Sequence, residues 1–163
     1  MSVPKELRAR TSSPDRTRAI AAALAGVSRP GDLVLLSGDL GAGKTTFTQG
    51  FAAALGVTEP VTSPTFTLLN AYEGRVRILH ADVYRMEVLQ EVFDLGLHES
   101  LDDGDIALVE WGDAASAALP VERLEIALRF GKGDDDRFIE LRAIGASWAD
   151  RNESLAAALE PFG

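Results

Sequence analysis

The chain has 163 residues, with 16 lysines and arginines against 25 aspartates and glutamates, which gives a formal net charge of −9. This length suits one domain with a hydrophobic core, and the acidic balance argues against binding nucleic acid or anionic lipid through the chain's own charge. There are no cysteines, which excludes disulfide partners, thiolate zinc sites and cysteine catalysis. No apolar run approaches the length of a membrane span, and residues 1–15 lack the hydrophobic region of a signal peptide. We therefore expect a cytoplasmic protein with no membrane partner.

The first half of the chain predicts a lead-in, a helix, a buried strand and a second helix. Residues 1–13 are polar and are expected to be a loose lead-in, and residues 15–24 (DRTRAIAAAL) predict a short helix with a serine or aspartate cap. Residues 32–37 (DLVLLS) form a continuous apolar run between turn signals, which is typical of a strand covered on both faces. Residues 44–55 then carry apolar side chains at helical spacing, and Gly56 ends this helix.

A loop, a hairpin and a third helix are expected in the middle of the chain. Residues 57–64 contain two prolines and predict a loop. Residues 65–72 and 75–82 predict two strands joined by a two-residue turn at positions 73–74. Residues 86–97 have a mainly helical pattern, with acidic side chains on the exposed side.

The last third of the chain adds a buried strand, a second hairpin and a closing helix. Residues 105–110 (DIALVE) repeat the buried-strand pattern and end on a carboxylate. Residues 124–130 and 137–143 alternate around a flexible stretch, which predicts an antiparallel hairpin, and residues 147–159 predict a helix. These elements predict an α/β fold with a mainly parallel central sheet flanked by helices and extended by antiparallel hairpins.

The glycine-rich segment 38–45 (GDLGAGKT) carries the clearest chemistry, because it satisfies G-x-x-x-x-G-K-[ST] between the first buried strand and a helix. Glycines let backbone N–H groups turn inward to form a nest for an anion, and the start of the helix adds its positive dipole end. Lys44 is expected to reach the β- and γ-phosphates, and the Thr45 hydroxyl to bind Mg²⁺. The segment therefore predicts a phosphate-binding loop (P-loop) for a nucleoside triphosphate and Mg²⁺. The predicted contacts are Asp39, Leu40, Gly41, Ala42, Gly43, Lys44, Thr45 and Thr46.

Two acids, Asp82 and Glu110, each follow an apolar run and are expected at the carboxyl edge of the sheet, beside the P-loop. Mg²⁺ takes few protein ligands and keeps water, so one acid is expected to support the metal and the other to orient or polarise the attacking water. Either acid can take either role, and the alternative for each is a strand-end carboxylate that only faces water. With Lys44, these acids are the predicted catalytic residues. His80, two residues before Asp82, is interpreted as a hydrogen-bonded structural group rather than a metal ligand.

Three further residues are candidates for sensing phosphate or meeting a partner. Thr65, in segment 62–66 (TSPTF), lies where small switch GTPases place a γ-phosphate sensor, and its alternative is an ordinary turn. Arg85 either neutralises phosphate charge in the transition state or pairs with a glutamate. Trp111 is either core or an exposed aromatic offered to a partner. No N-K-x-D motif for reading guanine occurs, so the expected nucleotide is ATP.

With these motifs in place, the chain resembles the TsaE family of small bacterial P-loop ATPases of tRNA modification, from about residue 17 to residue 143. The shared segments are GDLGAGKTTF (38–47), TSPTF (62–66), HADVYR (80–85), LGL-x-E (95–99) and VEW (109–111). The resemblance implies an ATP-hydrolysing accessory subunit in forming threonylcarbamoyladenosine, the modified base beside the anticodon in tRNAs that read ANN codons. It implies TsaD and TsaB as partners and only indirect contact with tRNA.

By the same resemblance, Lys44 and Thr45 hold phosphate and metal, Asp82 and Glu110 serve Mg²⁺ and hydrolysis, and Trp111 lies at the partner-facing rim. Two other functions are compatible with a P-loop: a kinase that phosphorylates a metabolite, and a nucleotide sensor that does not hydrolyse. A kinase would usually carry an arginine-rich lid, which the sequence lacks, and a sensor would leave Glu110 dispensable. Because no arginine finger is evident, we expect one P-loop ATPase domain over residues 14–163 that is weak alone and activated by partners.

Overall fold

The computed structural model describes residues 6–39, 41–63, 69–82, 96–110 and 119–163, and within these ranges seven strands form one sheet. The strands are β1 (Glu6–Thr11), β2 (Leu33–Ser37), β3 (Leu69–Tyr72), β4 (Ile78–Asp82), β5 (Ile106–Glu110), β6 (Arg123–Phe130) and β7 (Arg137–Ile144). Their order across the sheet is β1-β7-β6-β2-β5-β4-β3. The four central strands, β6, β2, β5 and β4, are parallel to one another, and the outer pairings are antiparallel. The predicted fold class is confirmed.

Strand β2 is apolar throughout because both of its faces are covered. Val34 and Leu36 point into a core that contains Ile20 and Phe47 from the flanking helices. Leu33 and Leu35 point into a second core on the opposite face of the sheet, together with side chains of β4 and β5. A parallel strand buried on both faces reads as a continuous apolar run, as predicted for residues 32–37.

Five α-helices are described around the sheet, and none of these is long and apolar enough to cross a membrane. They are α1 (Pro14–Ala25), α2 (Lys44–Ala54), α3 (Leu97–Asp102), α4 (Ala146–Ala149) and α5 (Asn152–Leu159), and a 3₁₀ turn (Glu160–Phe162) follows. Helix α1 begins where Ser13 Oγ accepts the backbone N–H of Arg16 at 3.1 Å, which satisfies a donor at the start of the helix. The helices predicted over residues 15–24 and 44–55 are confirmed.

The lead-in is not loose over its whole length, because residues 6–11 form β1. This strand pairs antiparallel with β7, with Arg8 opposite Glu140. Ala9 and Thr11 are buried, whereas Arg8 and Arg10 are exposed. The segment therefore has the period-two pattern of an edge strand, but it is too short and too polar for that pattern to stand out in the sequence.

The connection between β3 and β4 is longer than the predicted two-residue turn. Tyr72 lies opposite Ile78, so five residues, 73–77, connect the strands. Arg75 N–H donates to the carbonyl of Leu55 at 2.7 Å, and its guanidinium donates to the carbonyl of Ala54. These bonds widen the connection because they tie it to the end of α2. The part of the predicted first strand before Leu69 lies outside the described residues.

The predicted closing helix is two helices, α4 and α5, that break at residues 150–151. The backbone N–H of Arg151 bonds to the carbonyl of Trp148, three residues back. The carbonyl of Ser147, which a continuous helix would offer to that N–H, instead accepts the Nε–H of the Arg151 side chain at 3.0 Å. The guanidinium is then directed at Asp32, and the helix restarts at Asn152. The helix predicted over residues 86–97 lies outside the described residues except for its last two positions.

Candidate functional site

The P-loop connects the carboxyl end of β2 to the start of α2, and two of its glycines are required by geometry. A Cβ on Gly38 would lie 2.7 Å from the carbonyl oxygen of Leu128 in β6, so the loop could not pass so close to that strand with any other residue. Gly43 has φ +110°, a conformation that side chains with a Cβ rarely adopt, and it is the N-cap of α2. The two glycines let the chain turn sharply from the strand into the helix.

Helix α2 begins at Lys44, and its N-cap residue, Gly43, has no side chain that could cap the first turn. The first N–H groups of any α-helix have no partner within the helix, and here the first bond of the helix runs from Phe47 N–H to the carbonyl of Gly43. The N–H groups of Lys44, Thr45 and Thr46 precede that bond. Such N–H groups, together with the positive end of the helix dipole, can bind an anion, so the start of α2 fits a phosphate.

Lys44 spans the loop that it belongs to. Its Nζ donates to the carbonyl of Gly38 at 2.8 Å and lies 3.7 Å from Oε1 of Glu110. Its side chain is largely buried. The ammonium is therefore held between the loop backbone and an acid of the sheet edge.

The two predicted acids lie side by side at that edge. Asp82 is paired with Glu110 across β4 and β5, and Leu36 is paired with Glu110 across β2 and β5. Both acids therefore lie at the carboxyl ends of their strands, on the edge of the sheet where β2 leads into the P-loop. Asp82 is half-buried and Glu110 is buried.

Glu110 is bonded from a second side by His80. The Nε2–H of His80 donates to Oε2 of Glu110 at 2.9 Å, and the imidazole is fully buried. Among the described residues, its Nδ1 has no hydrogen-bond partner. The interpretation of His80 as a hydrogen-bonded group is confirmed, and its partner is one of the predicted acids. The Glu110 carboxylate is thus fixed between an imidazole and an ammonium.

The oxygen donors here match the preference of Mg²⁺ for hard ligands. Thr45 follows Lys44 in the first turn of α2 and is half-buried, and Asp82 and Glu110 bring carboxylates to the same sheet edge. The donor set fits Mg²⁺ with phosphate oxygens and water completing its shell. Thr46 is also half-buried in this turn, and Ala42 of the loop is buried.

Four of the predicted residues lie outside the described ranges: Leu40, Thr65, Arg85 and Trp111. The segment that leads to Thr65 is held by neighbouring elements. The carbonyl of Val61 accepts Nε2–H of Gln49 from α2 at 3.1 Å, and Thr62 N–H donates to the hydroxyl of Tyr72 in β3 at 3.2 Å. Residues 61 and 62 are thus bonded to α2 and β3, a few positions before the predicted sensor threonine.

One residue that contacts the P-loop is missing from the sequence prediction. Arg137, at the start of β7, donates from Nε to the carbonyl of Ala42 at 3.2 Å and from Nη2 to the carbonyl of Gly41 at 3.3 Å. It lies more than ninety positions from the loop in sequence. No motif marks such a contact, because a main-chain carbonyl can accept from any donor that the fold brings near.

The comparisons with known proteins agree on one family. The family model described as threonylcarbamoyl adenosine biosynthesis protein TsaE matches residues 11–139. The tRNA threonylcarbamoyladenosine biosynthesis protein TsaE of Bacillus subtilis (strain 168) is 49% identical over 153 residues, which cover 93% of this chain and 95% of the relative. The protein of the same name from Streptomyces coelicolor is 39% identical over 141 residues, which cover 82% and 95%.

A solved structure is similar over the same extent. The crystal structure of YdiB from Bacillus subtilis matches with a TM-score of 0.75 and 41% sequence identity, covering 99% of this chain and 98% of that chain. The resemblance seen in the sequence motifs is confirmed, and the chain belongs to the TsaE family of threonylcarbamoyladenosine biosynthesis proteins.

Proposed function

We propose that this protein binds ATP and Mg²⁺ at residues 38–46 and hydrolyses the ATP as an accessory subunit in forming threonylcarbamoyladenosine on tRNA. The observation that supports this most directly is the approach of Lys44 to Glu110, at 3.7 Å, beside the uncapped start of α2. A cation for phosphate, a carboxylate for metal or water, and the N–H groups at the start of a helix are the parts that phosphoryl transfer to water needs.

Each residue of the site has a role in this proposal. The N–H groups at the start of α2 bind the phosphates, and Lys44 moves from the carbonyl of Gly38 to the β- and γ-phosphate oxygens. The Thr45 hydroxyl and Asp82 hold the metal, which when bound offsets the negative charge that gathers on the phosphates. Glu110, held by His80, orients the attacking water and accepts its proton.

The partners proposed are TsaD and TsaB in the cytoplasm, with tRNA contacted only through them. The TsaE family assignment supports the pathway, and the net charge of −9 suits a subunit that leaves tRNA binding to others. The sequence has no evident arginine finger of its own. Slow hydrolysis alone and faster hydrolysis with partners are therefore expected, since an arginine supplied at the γ-phosphate is worth orders of magnitude in rate.

The test is an ATPase assay of the purified chain with and without TsaD and TsaB. We expect weak turnover alone, a marked rise with the partners, and loss of that rise in Glu110→Gln. Glu73→Gln is the matched control, because it is the same substitution at an exposed glutamate in the connection between β3 and β4. A rate of ATP hydrolysis that does not change when TsaD and TsaB are added, or a Glu110→Gln protein with full activity, would contradict the proposal.

A further inference from the structure

Arg137 is hydrogen-bonded both to the P-loop and to the connection between β6 and β7. Besides the carbonyls of Gly41 and Ala42, it donates from Nη1 to the carbonyls of Asp134 and Asp136 at 2.7 and 2.8 Å. Its guanidinium also lies over the ring of Phe130, 4.6 Å from the ring centroid. The side chain therefore joins the P-loop to the β6–β7 hairpin.

The contacts occupy most of the donors that the side chain has. A guanidinium carries five N–H groups, and four of them are directed at main-chain carbonyls of this chain. An arginine with its donors committed in this way is poorly placed to bind a phosphate itself. Its effect on a nucleotide must pass through the backbone that it holds.

The orientation of the P-loop peptides follows from these bonds. In a trans peptide the carbonyl and the N–H of the next residue point in opposite directions. Since the Ala42 carbonyl is directed outward to Arg137, the N–H of Gly43 is directed to the inner side of the loop. The peptide between Gly41 and Ala42 is fixed as well. The Gly41 carbonyl accepts from Arg137, and the Ala42 N–H donates to the carbonyl of Asp39 at 3.0 Å, which closes a turn.

We infer that Arg137 is a positioning residue that holds the P-loop with the N–H of Gly43 facing the phosphate before nucleotide arrives. The inference rests on the proposed function, since it concerns the same phosphate site. Arginine suits this task because its rigid, planar fork can reach two successive carbonyls, whereas a lysine offers a single point of attachment. The charge also strengthens both bonds.

The test compares Arg137→Ala and Arg137→Lys with Arg142→Ala. Arg142 lies on the same strand and pairs with Glu125 at 3.8 Å, so its loss removes an equal charge away from the P-loop. Because loop N–H groups bind the phosphates in the ground state and in the transition state alike, Arg137→Ala should raise KM and Kd for ATP about tenfold with little change in kcat. Arg137→Lys should fall between Arg137→Ala and the unaltered protein, and Arg142→Ala should match the unaltered protein.

A second measurement needs no nucleotide. Without the clamp of Arg137 on the Gly41 and Ala42 carbonyls, the amide N–H of Ala42, which donates to the carbonyl of Asp39, should exchange with solvent faster in Arg137→Ala than in Arg142→Ala, at equal Tm. Unchanged exchange together with unchanged Kd would overturn the inference, as would a fall in kcat at constant KM, which would make Arg137 a transition-state group. Full recovery in Arg137→Lys would overturn the two-carbonyl clamp as well. Failure of the unaltered protein to bind ATP would instead count against the proposed function, and the exchange data would still test the clamp.

Discussion

At the scale of single residues, the carboxylate of Glu110 is held at both oxygens. Lys44 approaches Oε1 and His80 donates to Oε2, and all three side chains are largely or fully buried. The two neighbours differ in what nucleotide binding would do to them. In the proposed ATP complex Lys44 turns toward the phosphates, whereas His80 has no reason to move, so the imidazole would keep Glu110 in place during the proposed hydrolysis.

This argument predicts a role for His80 in the rate rather than in ATP affinity. His80→Leu removes the donor to Oε2 and should lower kcat for ATP hydrolysis about 10- to 100-fold, the usual cost of losing a group that orients a site carboxylate, with KM for ATP nearly unchanged. His80→Gln, whose side-chain amide can reach the same oxygen, should restore much of the rate. Equal losses in the two variants would show that packing, and not the hydrogen bond, is what His80 provides.

Thr45 gives a second prediction at this scale, because its proposed contact is with the metal. Thr45→Ala should weaken binding of ATP in the presence of Mg²⁺ more than binding of ATP in EDTA, measured by calorimetry. Thr58→Ala, in an exposed loop, is the matched control and should leave both affinities unchanged. If Thr45→Ala weakens both forms of ATP equally, the hydroxyl does not serve the metal.

The residues of the site differ in how much the sequence says about them. Lys44 and Thr45 stand at fixed positions of a motif whose chemistry requires those side chains, and Asp82 and Glu110 are marked by the apolar strands before them. Arg137 is not marked, since its partners are backbone carbonyls that any residue type carries. His80 was predicted to be hydrogen-bonded, but its partner depends on which strand lies beside β4, and that is a property of the whole sheet.

At the scale of elements, a buried ion pair fixes the entry to β2. Arg151 donates from Nη1 and Nη2 to the two carboxylate oxygens of Asp32 at 2.7 and 3.0 Å, and both side chains are almost fully buried. The guanidinium carbon also lies 3.7 Å from the ring centroid of Trp148. The start of α5 is therefore tied to the residue that precedes the central strand, which leads in turn to the P-loop.

Breaking this pair should destabilise the fold strongly. Arg151→Ala leaves Asp32 charged and buried, so the free energy of unfolding should fall by about 3–5 kcal/mol in urea titrations. Arg29→Ala removes an exposed partner of Asp150 and should cost at most about 1 kcal/mol. A loss in Arg151→Ala no larger than in Arg29→Ala would mean that water compensates Asp32.

The elements themselves were predicted best where burial is complete. The strands predicted over residues 32–37 and 105–110 are β2 and β5, which are covered on both faces, and a continuous apolar run between turn signals has few other interpretations. Residues 6–11 are a short edge strand in which charged side chains alternate with small buried ones, and such a pattern is weak. The break at Arg151 depends on its ion pair with Asp32, a contact between distant parts of the chain that local helix preference does not contain.

At the scale of the whole molecule, one sheet connects the candidate site to both hydrophobic cores. The P-loop continues β2, and the acids end the neighbouring strands β4 and β5, which contribute to both cores. Apolar patterns predicted which segments are strands, but not that β2 lies between β5 and β6. The pattern along a strand indicates which of its faces are buried, and it does not indicate which strands pair with it. A ligand held by loop, helix and strand ends thus binds a surface that exists only when the sheet is assembled.

This arrangement predicts that Mg²⁺ and ATP stabilise the entire fold. At a free ATP concentration 100 times Kd, binding to the folded state alone adds about 2.7 kcal/mol, which for a domain of this size corresponds to a rise in Tm of roughly 5–11 °C. Thermal unfolding followed by circular dichroism should show that rise as a single transition, since the site joins α2 to the ends of three neighbouring strands of the sheet. Mg²⁺ alone should give no comparable rise in Tm. Lys44→Ala should abolish the rise in Tm with ATP, because the backbone N–H groups would face a highly charged triphosphate without the ammonium. A shift of equal size in Lys44→Ala would place nucleotide binding away from the P-loop.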